Sequence, residues 1–449
     1  MPYCRNLLFN DFDQLRADSC VLKITVNSLR TFGMIGLFLA RLLFVPSLGA
    51  ANELSPVEQL GKQLFFDTNL STPAGQSCAS CHAPEAGFSG PNSQVNLRTG
   101  VYPGAAAGRF GNRKPPTVAY ASFSPKRTFQ DDNETWVGGQ FWDGRADDLI
   151  AQAKGPLLNP LEMNNASAEE VVNKVRKGGY QKLFEQIFGP RSLVPGEEEK
   201  GFDQIAQAIA AYESSREVNA FRSKYDAYLA KRATLTSQEM RGLELFAGRA
   251  NCSACHPHEP GADGSPPLFT DFTYDNLGVP RNEANPFYEA PANINPHGRQ
   301  YKDLGLGGVL KQESQFGKVK VPTLRNVAKK PNRAFVKSYL HNGKFKSLKE
   351  VVHFYNKRDQ EPNQFPPADI PATVNHTELG NLGLTDDEED DLISFLETLS
   401  DEFGPTALPQ PLWTSPSKNS LRGISDLLRV ERFRHHVIPA SAKSDQSRR

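Results

Sequence analysis

Methionine is scarce in this chain: the four residues are Met1, Met34, Met163 and Met240, so the last 209 of 449 positions contain none. Charge of one sign is missing too. Lys+Arg and Asp+Glu both number 51, for a net charge of zero. That balance excludes the basic excess of a nucleic-acid binder, and no nucleic-acid partner is expected. Cysteine is limited to six residues, and histidine is absent from the whole stretch 83–140. What is abundant is glycine, 35, and proline, 33, which calls for many turns and long loops. The length exceeds what one compact core supports, so two domains with appendages are expected.

The first appendage reads as an address. Lys23 and Arg30 precede the apolar run "TFGMIGLFLARLLFVPSLGAA", which ends in Gly49, Ala50 and Ala51. A basic flank, an apolar segment and small residues form an export signal, with cleavage near Ala51. A membrane anchor is the alternative, but the run is barely long enough to span and Arg41 lies inside it. Residues 1–51 are therefore assigned as a leader and the Pro/Ser/Arg-rich segment 405–449 as a loosely held tail.

Between them one pattern occurs twice. "SPVEQLGKQLFF" (55–66) and "TSQEMRGLELFA" (236–247) each open with a capping box, Ser55 with Glu58 and Thr236 with Glu239. Each continues with Gly-x-x-Leu-Phe, from Gly61 and from Gly242, and each leads through a short loop into Cys-x-x-Cys-His. The first half closes on "FDQIAQAIAAY" (202–212), with Phe202, Ile205, Ala206, Ile209 and Tyr212 on one helical face. The second closes on "LTDDEEDDLISFLETL" (384–399), capped by Thr385 and Glu388 and apolar at Leu392, Phe395, Leu396 and Leu399. Helix, motif, irregular middle and closing helix are the layout of a small c-type cytochrome domain. The expected fold is mainly α, with two cytochrome c-like domains, 52–230 and 231–404, and long irregular loops.

"CASCH" (78–82) and "CSACH" (252–256) carry the chemistry. Two thiols at this spacing add across the vinyl groups of a haem, and the adjacent imidazole meets the iron. A structural zinc site takes four ligands, and each motif offers three. A redox dithiol has no need of the histidine. Two covalently bound c-type haems follow, attached through Cys78 and Cys81 and through Cys252 and Cys255, with His82 and His256 as proximal ligands. With no methionine after His256, the second haem's candidates for an opposite ligand within its own half are His258, His297, His341, His353, His376 or a tyrosine.

Two further segments, "QFWDGRADDLIAQAKGPLLNPLEMN" (140–164) and "KVPTLRNVAKKPNRAFVKSYLHNGKFKSLKEVVHFYN" (320–356), together with the paired motifs, resemble the bacterial diheme cytochrome c peroxidases and their MauG-type branch. The resemblance spans residues 52–403 and implies a periplasmic enzyme with a peroxide-reactive first haem and an electron-relay second haem. It implies hydrogen peroxide as oxidant, and as partner a protein electron donor, a small cytochrome or cupredoxin, or a protein substrate. Tyr355 falls where peroxidases carry a methionine ligand and so matches the MauG-type tyrosine; His353 is its rival, on another face of the same helix. The empty stretch 83–140 removes the distal histidine of peroxidases that await reductive activation, leaving the first haem open.

Gln140 matches the family's distal glutamine, and Trp142 and Trp136 are candidate electron relays. Counting ten residues on from Gln140, the family's acid–base glutamate would fall at Ile150, leaving Asp147, Asp148 or Glu162 to supply a proton. Calcium is implied between the domains through the carbonyls of Lys320 and Pro322, but Lys114 stands where an asparagine is expected. The rival from another class is a diheme carrier without enzymatic activity, which requires both irons to be six-coordinate.

Overall fold

In this computed structural model, residues 53–403 are described; the leader with Cys4 and Cys20 and the tail lie outside them. The segment between is mainly helical. In the N-terminal half the helices are α1 (Pro56–Phe66), α2 (Ser93–Arg98), α3 (Leu149–Leu158), α4 (Ala168–Lys177), α5 (Gln181–Phe188) and α6 (Glu198–Glu213). The C-terminal half contains α7 (Lys224–Leu229), α8 (Ser237–Ala247), α9 (Gly305–Leu310), α10 (Leu348–Lys357) and α11 (Asp386–Glu397). Strand is confined to two antiparallel ribbons, β1 (Thr128–Gln130) with β2 (Thr135–Val137) and β3 (Tyr274–Asp275) with β4 (Val319–Lys320). No helix among the described residues is long and apolar enough to cross a membrane.

The repeated sequence pattern becomes a repeated helix crossing. α1 packs on α6, and α8 packs on α11. Gly61 makes the first crossing possible: a Cβ there would lie 1.8 Å from the carbonyl oxygen of Ala208. At the second, a Cβ on Gly242 would lie 2.0 Å from the carbonyl oxygen of Asp391. The glycine of each Gly-x-x-Leu-Phe run is thus a contact point between backbones, and the Phe behind it, Phe65 or Phe246, is buried.

Each crossing seeds a hydrophobic core. One gathers Leu60, Leu64, Ile205, Ile209 and Tyr212; the other gathers Phe246, Phe354, Phe395, Leu392 and Leu399. Polar links join the two cores within one compact unit. Arg325, 1% exposed, donates to both carboxyl oxygens of Asp226 at 3.0 and 2.8 Å while its guanidinium stacks on Tyr120 and Phe221. The Tyr120 hydroxyl donates to Asp401 at 2.8 Å, tying the first half to the end of the second.

Candidate haem sites

Each Cys-x-x-Cys-His motif folds as a single 3-10 turn directly after its helix-and-loop, Cys78–Ser80 and Cys252–Ala254. Because the turn brings His82 N onto Cys78 O at 2.9 Å and His256 N onto Cys252 O at 3.0 Å, thiols and imidazole gather on one surface. None of the four cysteines forms a disulfide. Each set lines its own cavity: Cys78, Cys81 and His82 in the N-terminal half, Cys252, Cys255 and His256 in the C-terminal half.

Both histidines are oriented from behind. His82 Nδ1 faces Phe88 O at 3.4 Å and His256 Nδ1 faces Phe269 O at 2.7 Å, which leaves Nε2 of each to meet a ligand. Burial lowers both imidazoles to about 4, so they are neutral, as an iron ligand must be. Burial also raises all four thiols, keeping them protonated until they react.

The cavities differ in the rest of their lining. The N-terminal one takes Gln140, Gln152, Pro156, Glu162 and Glu213. Among the described residues, Gln76 Oε1, Glu162 Oε2 and Glu213 Oε2 are buried there without a hydrogen-bond partner. Unmet polar atoms around paired thiols and a neutral imidazole fit a cavity shaped for a polar cofactor. Burial raises the Glu162 carboxyl and pushes Glu213 up to about 8. The C-terminal cavity is walled by Leu348, Val351, Val352, Leu392 and Leu396, and α10 presents Tyr355 to it. Burial, with the nearby cysteines, holds the Tyr355 phenol well above its ordinary range.

The sequence-derived candidates separate in space. Tyr355 lines the second cavity and His353 does not: its Nδ1 pairs with Glu389 at 2.9 Å. Trp142, 7% exposed, lines both cavities. Trp136 lines neither; it stacks on Phe129, 5.4 Å away, in the β1–β2 hairpin. Gln140 reaches the first cavity, but its Nε2 donates to Ala121 O at 2.9 Å.

Ile150 requires a correction. It packs against the N-terminal core and is not part of the cavity wall. Gln152 and Glu162, also ten residues apart, both line the cavity. The other stand-ins fail as well: Asp147 is exposed, and Asp148 caps α3 through Ala151 N at 2.9 Å. His341, one of the histidines considered for the second haem, does line the C-terminal cavity; its ring lies 6.4 Å from that of Trp142 and its buried Nδ1 has no hydrogen-bond partner.

Fold and site together define a di-haem c-type oxidoreductase. Residues 55–234 match the di-haem cytochrome c peroxidase family. The methylamine utilization protein MauG of Paracoccus denitrificans is 35% identical, the match covering 80% of this chain and 93% of that protein. Cytochrome c551 peroxidase of Pseudomonas aeruginosa is 30% identical over 76% of this chain and 78% of its own. The crystal structure of the diheme peroxidase BthA from Burkholderia thailandensis superposes with a TM-score of 0.67 at 36% identity, covering 79% of this chain and 89% of that one. This chain belongs to the di-haem cytochrome c peroxidase and MauG family, and it is a peroxidase-like oxidoreductase with two c-type haems.

Proposed function

We propose that this protein is a periplasmic, MauG-like peroxidase that takes hydrogen peroxide at the N-terminal haem. Cys252, Cys255 and His256 would hold the C-terminal haem, which would relay oxidising equivalents to a protein donor or protein substrate. The observation that carries the reading is the difference in lining: Gln152, Pro156 and Glu162 in one cavity, Tyr355 within a largely apolar wall in the other. Bound at Cys78, Cys81 and His82, the first haem supplies an iron able to reduce peroxide.

The protein does the rest. Gln152 can hold peroxide by a side-chain hydrogen bond. Glu162, whose raised carboxyl keeps its proton further up the pH scale, can move a proton from one peroxide oxygen to the other. Pro156 and Leu157 exclude water from that wall. Trp142 places its indole between the cavities, with its N–H fixed on Lys114 O at 2.9 Å. Tyr355 offers the second iron a hard oxygen donor, which favours oxidised states and suits storage of oxidising equivalents over easy electron carriage.

The test mixes the diferric two-haem protein with hydrogen peroxide under stopped flow, followed by electron paramagnetic resonance. Glu162→Gln should slow the peroxide reaction by ~10²–10⁴-fold with both haems retained. Ile150→Glu should not accelerate it, because that side chain is packed in the core. Wild-type rates in Glu162→Gln remove the acid role. A wild type inert to peroxide with a six-coordinate first iron restores the carrier reading.

A further inference from the structure

The bridge between the cavities rests on two lysines. Trp142 Nε1 donates to Lys114 O at 2.9 Å, and Lys320 N donates to Trp142 O at 2.8 Å, so lysine peptides hold the tryptophan on both sides. Lys114 N in turn donates to His341 O at 2.8 Å, across the halves. Both side chains go inward. The Lys114 ammonium, on a residue 8% exposed, donates to Pro115 O at 2.9 Å. That of Lys320 donates to Gly139 O at 2.6 Å and Ser124 Oγ at 3.3 Å.

Neither ammonium is in an ion pair with a carboxylate among the described residues. Asp143 is taken by Arg113 at 2.7 Å and Arg145 at 2.9 Å. Burial lowers Lys114 to about 8, so it still carries charge at neutral pH, while Lys320 falls to about 7. A buried cation without a counter-ion is costly.

This is the position at which the family resemblance implies calcium, through residue 114 and the carbonyls of Lys320 and Pro322. Calcium takes six to eight oxygen ligands. An ammonium has no lone pair to offer and repels a dication. The donor set does not fit. We propose that Lys114 supplies a positive charge between the two haem sites and that this position takes no divalent cation.

Metal content tests it independently of peroxide turnover. The two-haem protein is equilibrated with millimolar calcium, desalted and analysed by mass spectrometry for bound metal. Wild type should hold far less than one equivalent, and its ferric resonance spectrum should be unchanged by a chelator. Lys114→Asn should take up about one calcium per chain and become chelator-sensitive. Lys114→Met should gain no calcium, and the midpoint potentials of both haems should fall, since lost positive charge favours the oxidised state. One tightly held calcium in wild type, or a chelator-sensitive wild-type spectrum, overturns the proposal. So does a Lys114→Asn protein that keeps both haems and stays calcium-free, or a Lys114→Met protein with unchanged potentials. If neither variant folds, the wild-type metal content and chelator response decide it.

Discussion

The cavity that contains His82 also contains Gln152, Pro156 and Glu162; the one that contains His256 also contains Tyr355 within a wall of leucine and valine. Behind the histidines the halves are alike: a glycine-mediated helix crossing, a 3-10 turn of thiols and a backbone carbonyl on Nδ1. The duplicated elements are those that would attach a haem, and the residues that were not duplicated are what distinguish the two cavities. In the proposed reading, a carboxyl with a retained proton would serve cleavage of an O–O bond, whereas an oxygen donor in a largely apolar pocket would favour oxidised iron.

The largest effect expected from breaking this comparison is loss of one haem. Changing Cys78 and Cys81 to Ala should leave one haem per chain by pyridine haemochrome assay and abolish the peroxide response. Changing Cys252 and Cys255 to Ala should also leave one haem, and should remove the low-spin tyrosine-type signal instead. Two haems remaining in either variant would undo the corresponding attachment. A smaller effect sharpens the contrast at the second cavity. Tyr355→Met should raise the potential of that haem by on the order of 0.1 V or more, within the roughly 0.8 V that axial ligands span. Tyr355→Phe should open that iron or recruit a replacement. If neither variant alters the low-spin spectrum, Tyr355 is packing only.

The smallest effect checks that the shared scaffold is shared. The Ser55 hydroxyl donates to the Glu58 carboxylate at 2.7 Å, and the Thr236 hydroxyl accepts from Glu239 N at 3.2 Å. Ser55→Ala and Thr236→Ala should each cost about 1 kcal/mol in thermal or denaturant unfolding, without changing haem content or spectra. A much larger loss at one site would show that the halves depend on their caps unequally.

Legibility followed the range of the interactions. Helix starts, the apolar faces of α6 and α11 and the two haem motifs rest on contacts within a few residues, and spacing alone reveals those. Tyr355 and Trp142 were visible through their flanking segments. The proposed acid was harder. Glu162 was a candidate beside Asp147 and Asp148, and only its position in the cavity, with one oxygen unpartnered, separates it from a capping aspartate and an exposed one. Ile150 shows the converse failure: a count along the chain gave a register that α3 does not follow.

By itself the sequence determined the helical framework and the two Cys-x-x-Cys-His turns from which two haems are expected, because motif spacing and helix capping are local. Tertiary structure decided that Glu162, and not Asp147 or Asp148, faces the first cavity, that Tyr355 and not His353 faces the second, and that Trp142 stands between them bracketed by Lys114 and Lys320. Those placements depend on how two halves far apart in sequence close on each other. No periodicity along one chain encodes that closure.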